Sequence, residues 1–142
     1  MNDKAFLDTN IIVYLYSDSE NEKRNAAYHA VDSHACVTSM QALNEICNVW
    51  LKKFGWNGNK IKEHIENIEL ICDEVAYVQK NTIFRALTIK EQYGYSYYDC
   101  LMLSSALECN CDMILTEDMA DGQIIDNRLT IVNPLKNNNN DT

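Results

Sequence analysis

Short apolar runs alternate with longer stretches of helical periodicity along most of the chain, and this alternation restricts the fold more than any other feature. Four of the runs have the length and composition of buried strands: residues 4–7, 35–38, 113–115 and 129–132. The helical stretches between them are long enough to form crossover connections between parallel strands. The pattern therefore predicts an α/β fold with a mostly parallel sheet.

The stretches between the runs repeat their apolar residues at the three- and four-residue steps of a helix. One helix is predicted at residues 40–54, with Ser39 as its N-cap. A helix also starts near Ile11, directly after the first strand. Four further helices are predicted, the third of which ends at Gly94: residues 21–33, 60–71, 79–93 and 97–108.

The length of 142 residues fits one domain, which we place at residues 1–135. Residues 136–142 lack apolar side chains, so we expect a disordered polar tail there. The longest apolar run, residues 11–16, is far shorter than the roughly 20 residues that span a membrane. The N-terminus also lacks the basic start of a signal peptide. We therefore expect a cytoplasmic protein that does not bind membranes.

Two acidic residues follow predicted parallel strands. Asp8 comes directly after the strand at residues 5–7, and Asp118 lies just beyond the strand at residues 113–115. Open parallel sheets bind ligands beyond the carboxyl ends of their strands, so both side chains should project over the same edge. Asp99 opens a strongly apolar helix, where an acid entering a buried face needs a partner such as a metal ion.

Each acid also has a purely structural interpretation. Asp8 could cap the helix that follows it, and Asp99 stands three residues after Ser96, which is the spacing of a capping box. Asp118 could be an ordinary turn residue, and Glu45 could be a solvated residue of its helix. No acid taken alone therefore indicates a function.

Four short motifs, in order along the chain, resemble those of PIN domains. Residues 6–10, Phe-Leu-Asp-Thr-Asn, resemble the opening motif, and Glu45 resembles the second acid of the family. Asp99 follows an aromatic pair and precedes a helix, as in the third motif. Residues 116–118, Thr-Glu-Asp, resemble the fourth, T-x-D motif. The order and spacing from about residue 6 to residue 134 resemble bacterial VapC-like toxins.

The resemblance implies a three-layer α/β/α fold and a metal-dependent endoribonuclease. Its catalytic residues and metal ligands would be four acids: Asp8, Glu45, Asp99 and Asp118. Three polar residues would support them: Thr9, Asn10 and Thr116. Glu117 and Asp121 share the loop of Asp118, which leaves open which of them faces the metal. Asp118 matches the motif best, and Asp121 is kept in reserve.

The expected cofactor is Mg²⁺, with Mn²⁺ as the alternative, because oxygen ligands suit hard cations. Such ions make bound water more acidic and stabilise charge on phosphate oxygens, so no cysteine or histidine nucleophile is required. The resemblance implies products with a 5′-phosphate and a 3′-hydroxyl. It also implies three partners, namely an RNA substrate, a small antitoxin protein and a second copy of the chain in a homodimer. The six cysteines lack C-x-x-C spacing and are expected to be reduced structural thiols.

The net charge of −9 opposes non-specific binding of RNA, which normally relies on Lys and Arg. Four acids gathered around a metal would account for nearly half of that excess. Four lysines surround the Trp56 turn and could hold RNA, or could simply be solvated helix ends: Lys52, Lys53, Lys60 and Lys62. Lys23 and Arg24 form a second candidate.

Two other functions remain open from the sequence. The first is a haloacid-dehalogenase-like phosphotransferase with Asp8 as nucleophile. Such enzymes carry a D-x-D-x-T motif after the first strand. Here the second Asp and the Thr of that motif are missing. The second is a non-catalytic interaction domain with the same fold, which would keep its partner when Asp8 is replaced by Asn.

Overall fold

The computed structural model describes residues 3–136, which form six strands and six helices. The strands are β1 (Lys4–Leu7), β2 (Ala35–Ser39), β3 (Glu74–Ala76), β4 (Met113–Leu115), β5 (Ile124–Ile125) and β6 (Leu129–Val132). The helices are α1 (Thr9–Leu15), α2 (Asn21–Asp32), α3 (Met40–Lys52), α4 (Gly58–Ile71), α5 (Lys80–Tyr93) and α6 (Tyr97–Glu108).

All six strands belong to one sheet in the order β3-β2-β1-β4-β6-β5. Every neighbouring pair is parallel except β5 and β6. The chain fills one side of β1 first and then continues with β4 on the other side, so the strand order reverses between β1 and β4. A crevice opens outside the carboxyl ends of two strands at such a reversal. Leu7 of β1 and Leu115 of β4 are register partners at this point.

Side chains alternate between the two faces of β1, and each face is covered by helices. Phe6 packs into a buried cluster that includes Leu103 of α6 and Ala86 of α5. Ala5 and Leu7 belong to the cluster on the opposite face, which includes residues of α1, α2, α3 and α4. The fold is therefore the predicted three-layer α/β/α arrangement with a mostly parallel sheet.

Helix α6 is buried on all sides, from Cys100 to Leu107. Its Ser104 and Ser105 are fully buried, and Ser104 Oγ donates a hydrogen bond to the carbonyl oxygen of Thr82 at 2.8 Å. An all-round apolar helix is stable only when it is enclosed. The enclosure fixes α6 between the sheet and α5, and thereby fixes the position of Asp99 at its first turn.

The strands β3 and β5 were absent from the prediction. β3 begins with the exposed Glu74 and has no buried residue, and β5 has only two residues, so neither forms the buried apolar run by which the other strands were predicted. The predicted helices are present. The helix at 97–108 has the predicted ends, and the ends of the others differ from the prediction by at most two residues. The six cysteines are all free. In residues 3–136, no helix is both long enough and apolar enough to cross a membrane. Of the predicted tail, 136–142, only Lys136 is among the described residues.

Two glycines allow a direct test of the local backbone. Gly94 ends α5 with φ +81°, whereas Gly58 begins α4 without a positive φ, and an added Cβ would meet no atom within 4 Å at either position. Gly94→Ala should lower the free energy of unfolding by about 1 kcal/mol, because a left-handed conformation strains an L side chain. Gly58→Ala should raise it by about 0.5 kcal/mol. Urea denaturation measures both, and equal changes would contradict the assigned conformation of Gly94.

Candidate active site

A cavity of about 630 Å³ opens at the carboxyl edge of the sheet, where the strand order reverses. Its lining includes all four acids that were predicted to converge, together with Glu117: Asp8, Glu45, Asp99, Glu117 and Asp118. Elements far apart in sequence supply them, namely the end of β1, the middle of α3, the first turn of α6 and the loop after β4. The fold thus brings the predicted acids to one place.

Asp8 is the most buried of these acids, with 5% of its surface exposed. Its backbone N–H donates to the carbonyl oxygen of Leu115 at 3.1 Å, which extends the pairing of β1 and β4 by one residue. Its Oδ1 accepts from the Thr9 N–H at 2.7 Å and so caps α1. Its Oδ2 accepts from the Thr116 hydroxyl at 2.8 Å. Asp8 therefore caps a helix and lines the cavity at the same time.

The pKa of Asp8 is raised to about 6. Burial is the main cause; the Thr116 and Thr9 hydrogen bonds lower the pKa, and the Asp99 and Glu45 carboxylates raise it. The pKa of Asp99 is also raised, first by burial and then by the Asp118 and Glu45 carboxylates. Negative charge is therefore crowded in this cavity, and a cation placed among the acids would relieve the repulsion.

Glu45 is held by contacts from two helices. Its Oε1 accepts from the Thr9 hydroxyl at 2.8 Å, and its Oε2 accepts from the Gln41 side-chain amide at 3.0 Å. The Gln41 amide also donates to the carbonyl oxygen of Tyr98 at 3.1 Å, which connects α3 to α6. No role was predicted for Gln41, although it stands one helical turn before Glu45, the spacing at which two side chains of a helix can contact each other.

Asp99 occupies the first turn of α6 and is partly buried. Its N–H donates to the Ser96 hydroxyl at 3.2 Å, so the side chain of Ser96, and not that of Asp99, caps the helix. The spacing of Ser96 and Asp99 thus reflects an N-cap, in which Asp99 takes part through its backbone N–H. Asp99 is also one of the residues that line the cavity.

The loop after β4 separates its three acids. Asp118 Oδ2 accepts from the Asn10 side-chain amide at 2.8 Å, and the Asp118 N–H donates to the Thr116 hydroxyl at 3.1 Å. Asn10 also accepts from the Glu117 N–H at 3.3 Å through Oδ1, so one amide fixes two residues of the loop. These contacts hold Asp118 beside Thr116, whose hydroxyl contacts Asp8.

The other two acids of the loop have different partners. The Tyr14 hydroxyl donates to Glu117 Oε1, and the ammonium group of Lys23 lies 3.8 Å from Glu117 Oε2. Asp121 Oδ1 accepts from the Asn133 N–H at 2.8 Å, and Asp121 does not line the cavity. The geometry therefore favours Asp118 over Glu117 and Asp121 as the fourth acid of the site.

The acids surround the cavity without forming a closed set of ligands. Within residues 3–136, no three Asp, Glu, His or Cys side chains are grouped closely enough to hold a metal ion on their own. Mg²⁺ tolerates such an open arrangement, because it keeps several waters and usually binds proteins through one or two carboxylates. The all-oxygen donors and the raised pKa of Asp8 fit a hard divalent cation.

A family model for the PIN domain matches residues 5–120, which include all four predicted acids. The chain belongs to the PIN domain family. The three-layer α/β/α fold is thus that of a PIN domain. Comparison of the sequence with curated proteins gives no match.

Solved structures share the fold of this PIN domain at low sequence identity. A toxin–antitoxin complex from Klebsiella pneumoniae has a TM-score of 0.69 at 17% identity, covering 92% of this chain and 97% of the other. VapC20 from Mycobacterium tuberculosis, a toxin that cleaves the sarcin–ricin loop, has a TM-score of 0.59 at 18% identity, covering 78% and 86%. FitAcB from Neisseria gonorrhoeae has a TM-score of 0.63 at 16% identity, covering 93% and 99%.

The buried carboxylate of Asp8 makes the stability of the metal-free PIN domain depend on pH. The pKa of Asp8 is about 6 in the folded chain and near 4 in the unfolded chain, so the folded state binds the Asp8 proton more tightly. The free energy of unfolding therefore falls as the pH rises through this interval. Asp8→Asn removes that loss. In EDTA at pH 7.5, its free energy of unfolding should exceed that of the wild type by about 2 kcal/mol.

Urea denaturation in EDTA at pH 4 and pH 7.5 measures this difference, which should vanish at the lower pH. Asp121→Asn is the matched control, because Asp121 is exposed and lies outside the cavity. Equal stability of the Asp8→Asn variant and the wild type at pH 7.5 would show that the Asp8 carboxylate is not under electrostatic stress.

Proposed function

We propose that this PIN domain is a divalent-metal-dependent endoribonuclease, with Mg²⁺ as the expected ion and Mn²⁺ as the alternative. One observation carries the proposal, namely the meeting of the buried Asp8 with Glu45, Asp99 and Asp118 in one cavity at the reversal of strand order. Membership of the PIN family supports nuclease activity. The crowding of negative charge supports the binding of a cation there.

Asp8, Glu45 and Asp99 would be the main metal ligands, and Asp118 would complete the site or hold a second ion. A divalent cation bound there would supply an activated water and stabilise negative charge on the phosphate oxygens. All four acids line the one cavity, and the fold shields Asp8 almost completely from bulk water. The expected products carry a 5′-phosphate and a 3′-hydroxyl.

Thr9, Asn10 and Thr116 would act as positioning residues, because each donates to one of the acids. Thr116 has the most central place, since its hydroxyl donates to Asp8 and accepts from the backbone of Asp118. Partners of this kind orient metal ligands, and their loss typically lowers metal affinity or activity by roughly 10- to 100-fold.

We further propose that the chain is the toxin of a toxin–antitoxin pair that acts in the cytoplasm. The fold likeness to a toxin–antitoxin complex and to an RNA-cleaving toxin motivates this assignment. A small antitoxin protein, a second copy of the chain and an RNA substrate are the expected partners. Gel filtration of the chain alone and with the product of the adjacent gene tests the first two.

The rival functions make different demands on Asp8. A phosphotransferase would use its carboxylate as a nucleophile, yet both Asp8 oxygens accept hydrogen bonds and the side chain is buried. PIN family membership also disfavours that function. A non-catalytic interaction domain would retain its partner without any acid, and an activity measurement distinguishes it from a nuclease.

Cleavage of RNA is the deciding experiment. Wild-type protein should cleave a labelled RNA with Mg²⁺ and lose this activity in EDTA. Asp99→Asn should lower the rate by at least about 100-fold, because the variant loses a charged metal ligand. Asp121→Asn should retain the rate, because Asp121 lies in the loop after β4, as Asp118 does, but does not line the cavity.

Mapping of the RNA ends should show 5′-phosphates on the products. Equal rates for the wild type and Asp99→Asn would remove Asp99 from the catalytic site. Absence of cleavage by the wild type, combined with retained binding of a partner, would support the interaction-domain alternative.

Thr116 gives an independent test of positioning. Thr116→Val keeps the shape of the side chain but leaves Asp8 Oδ2 and the Asp118 N–H without their partner, so RNA cleavage should fall by roughly 10- to 100-fold. Thr116→Ser keeps the hydroxyl and should retain most of the activity. Raising the Mg²⁺ concentration should partly rescue the valine variant if the defect lies in metal affinity. Equal activity of the valine and serine variants would exclude this role.

A further inference from the structure

Basic residues are unevenly distributed in this acidic chain. It has 12 Lys and Arg against 21 Asp and Glu. Half of the basic residues fall in one third of the sequence, around the start of α2, the end of α3 and the start of α4: Lys23, Arg24, Lys52, Lys53, Lys60 and Lys62. This region adjoins the acidic cavity, so the positive charge available for a polyanion is concentrated beside the site.

A second cavity, of about 450 Å³, lies in this region. Arg24 and Lys60 contribute its positive charges, and Asp18 contributes a carboxylate. Tyr28 also lines it, with 54% of its surface exposed. Two cations beside an exposed aromatic ring are the combination that binds single-stranded nucleic acid, through phosphates and through base stacking.

The two cavities lie on opposite sides of two segments, residues 16–19 and residues 53–56. Ser17 and Ser19 line the acidic cavity, whereas Tyr16 and Asp18 line the second one. The segment after α3 divides in the same way, with Lys53 and Phe54 at the acidic cavity and Trp56 at the second. The rings of Phe54 and Trp56 meet edge to face with centroids 5.6 Å apart. The cavities are thus neighbours separated by these two segments, and a flexible strand that crosses the segments would reach both.

The lysines around the Trp56 turn are not equivalent. Lys53 is the only basic residue among those lining the acidic cavity, and its neighbour Lys52 lines neither cavity. Lys60 lines the second cavity, and Lys62 does not. All four side chains belong to exposed residues. The predicted basic cluster is therefore divided into two residues that face the cavities and two that do not.

Trp56 is not available for stacking a base in the way that its sequence position suggested. One neighbour is the buried Trp50, stacked on it with ring centroids 4.7 Å apart. The Lys60 ammonium lies 4.2 Å from the centre of the Trp56 ring. Trp56 thus holds Lys60 in place, and Tyr28 is the exposed ring of the second cavity.

We propose that the second cavity is a subsite for single-stranded RNA, placed beside the active site. A strand with its cleaved bond in the acidic cavity would pass Lys53 and set a neighbouring phosphate against Lys60 and Arg24, with one base on Tyr28. The proposal rests on the proposed function, because it requires RNA in the acidic cavity. An acidic polypeptide is the competing occupant, and the position of the second cavity next to the acidic cavity favours RNA.

Lys60 and Lys62 provide a matched pair for the test. Lys60→Gln should raise the KM for an eight-nucleotide RNA by about tenfold, because one charged phosphate contact is lost, and should leave kcat unchanged. The same variant should not alter the KM for a dinucleotide that only fills the acidic cavity. In the same variant, the slope of the logarithm of the binding constant against the logarithm of salt concentration should be smaller in magnitude by about 1. Lys62→Gln removes the same charge and should change none of these quantities.

Lys53 and Lys52 provide a second pair with a different expected pattern. Since Lys53 lines the acidic cavity itself, Lys53→Gln should raise the KM for the dinucleotide and for the longer RNA alike. Lys52→Gln should leave both near the wild-type value. The difference within each pair separates the position of a charge from its effect on the net charge of the protein.

Equal KM values for the Lys60→Gln and Lys62→Gln variants with the longer RNA would overturn the subsite while leaving the endoribonuclease in place. If the wild type cleaves no RNA, the proposed function has failed, and fluorescence anisotropy with the same RNA still tests the subsite through the Lys60 and Lys62 pair. Lys60-dependent binding of poly-glutamate, with no such dependence for RNA, would assign the cavity to a polypeptide and overturn the proposal.

Discussion

The buried carboxylate of Asp8 is the constraint from which the rest of the site follows. It ends the central strand, continues the pairing with β4 through its N–H and caps the helix that leaves the sheet. A carboxylate at this depth is costly when ionised, and its raised pKa expresses that cost. The fold accepts it because both oxygens receive hydrogen bonds and because the position opens onto a cavity.

Two of the other acids, Glu45 and Asp118, accept hydrogen bonds from uncharged polar neighbours. Glu45 receives the Thr9 hydroxyl and the Gln41 amide, and Asp118 receives the Asn10 amide. These neighbours come from α1 and α3, which pack on the same side of the sheet. The polar contacts thus join the first and fourth motifs of the family in space, although they are more than a hundred residues apart in the chain.

Local patterns and the topology of parallel sheets predicted the central strands and the placement of Asp8 and Asp118 at one edge of the sheet. The three layers and the full set of four acids came from the resemblance to PIN domains. The strands β3 and β5 were missed because β3 has no buried residue and β5 has only two residues, and pairing with β2 and β6 holds them in the sheet. The choice among Glu117, Asp118 and Asp121 also needed coordinates. It depends on Tyr14 and Asn133, which no local pattern connects to that loop.

The division of the lysines has the same origin. Lys52 and Lys53 are adjacent in sequence and equal in charge, and only the direction in which α3 ends distinguishes them. A sequence can indicate that positive charge collects near a turn, but which of two adjacent lysines lines a cavity depends on the elements that surround that turn in the folded chain.

The complete enclosure of α6 has a consequence for how this domain can vary. The residues from Cys100 to Leu107 form part of the hydrophobic core, and Asp99 begins the same rigid rod. A change of volume anywhere along that rod shifts the carboxylate at its tip as well as loosening the interior. The stability of the fold and the position of the Asp99 carboxylate therefore depend on the same few side chains, so a substitution that changes one also changes the other.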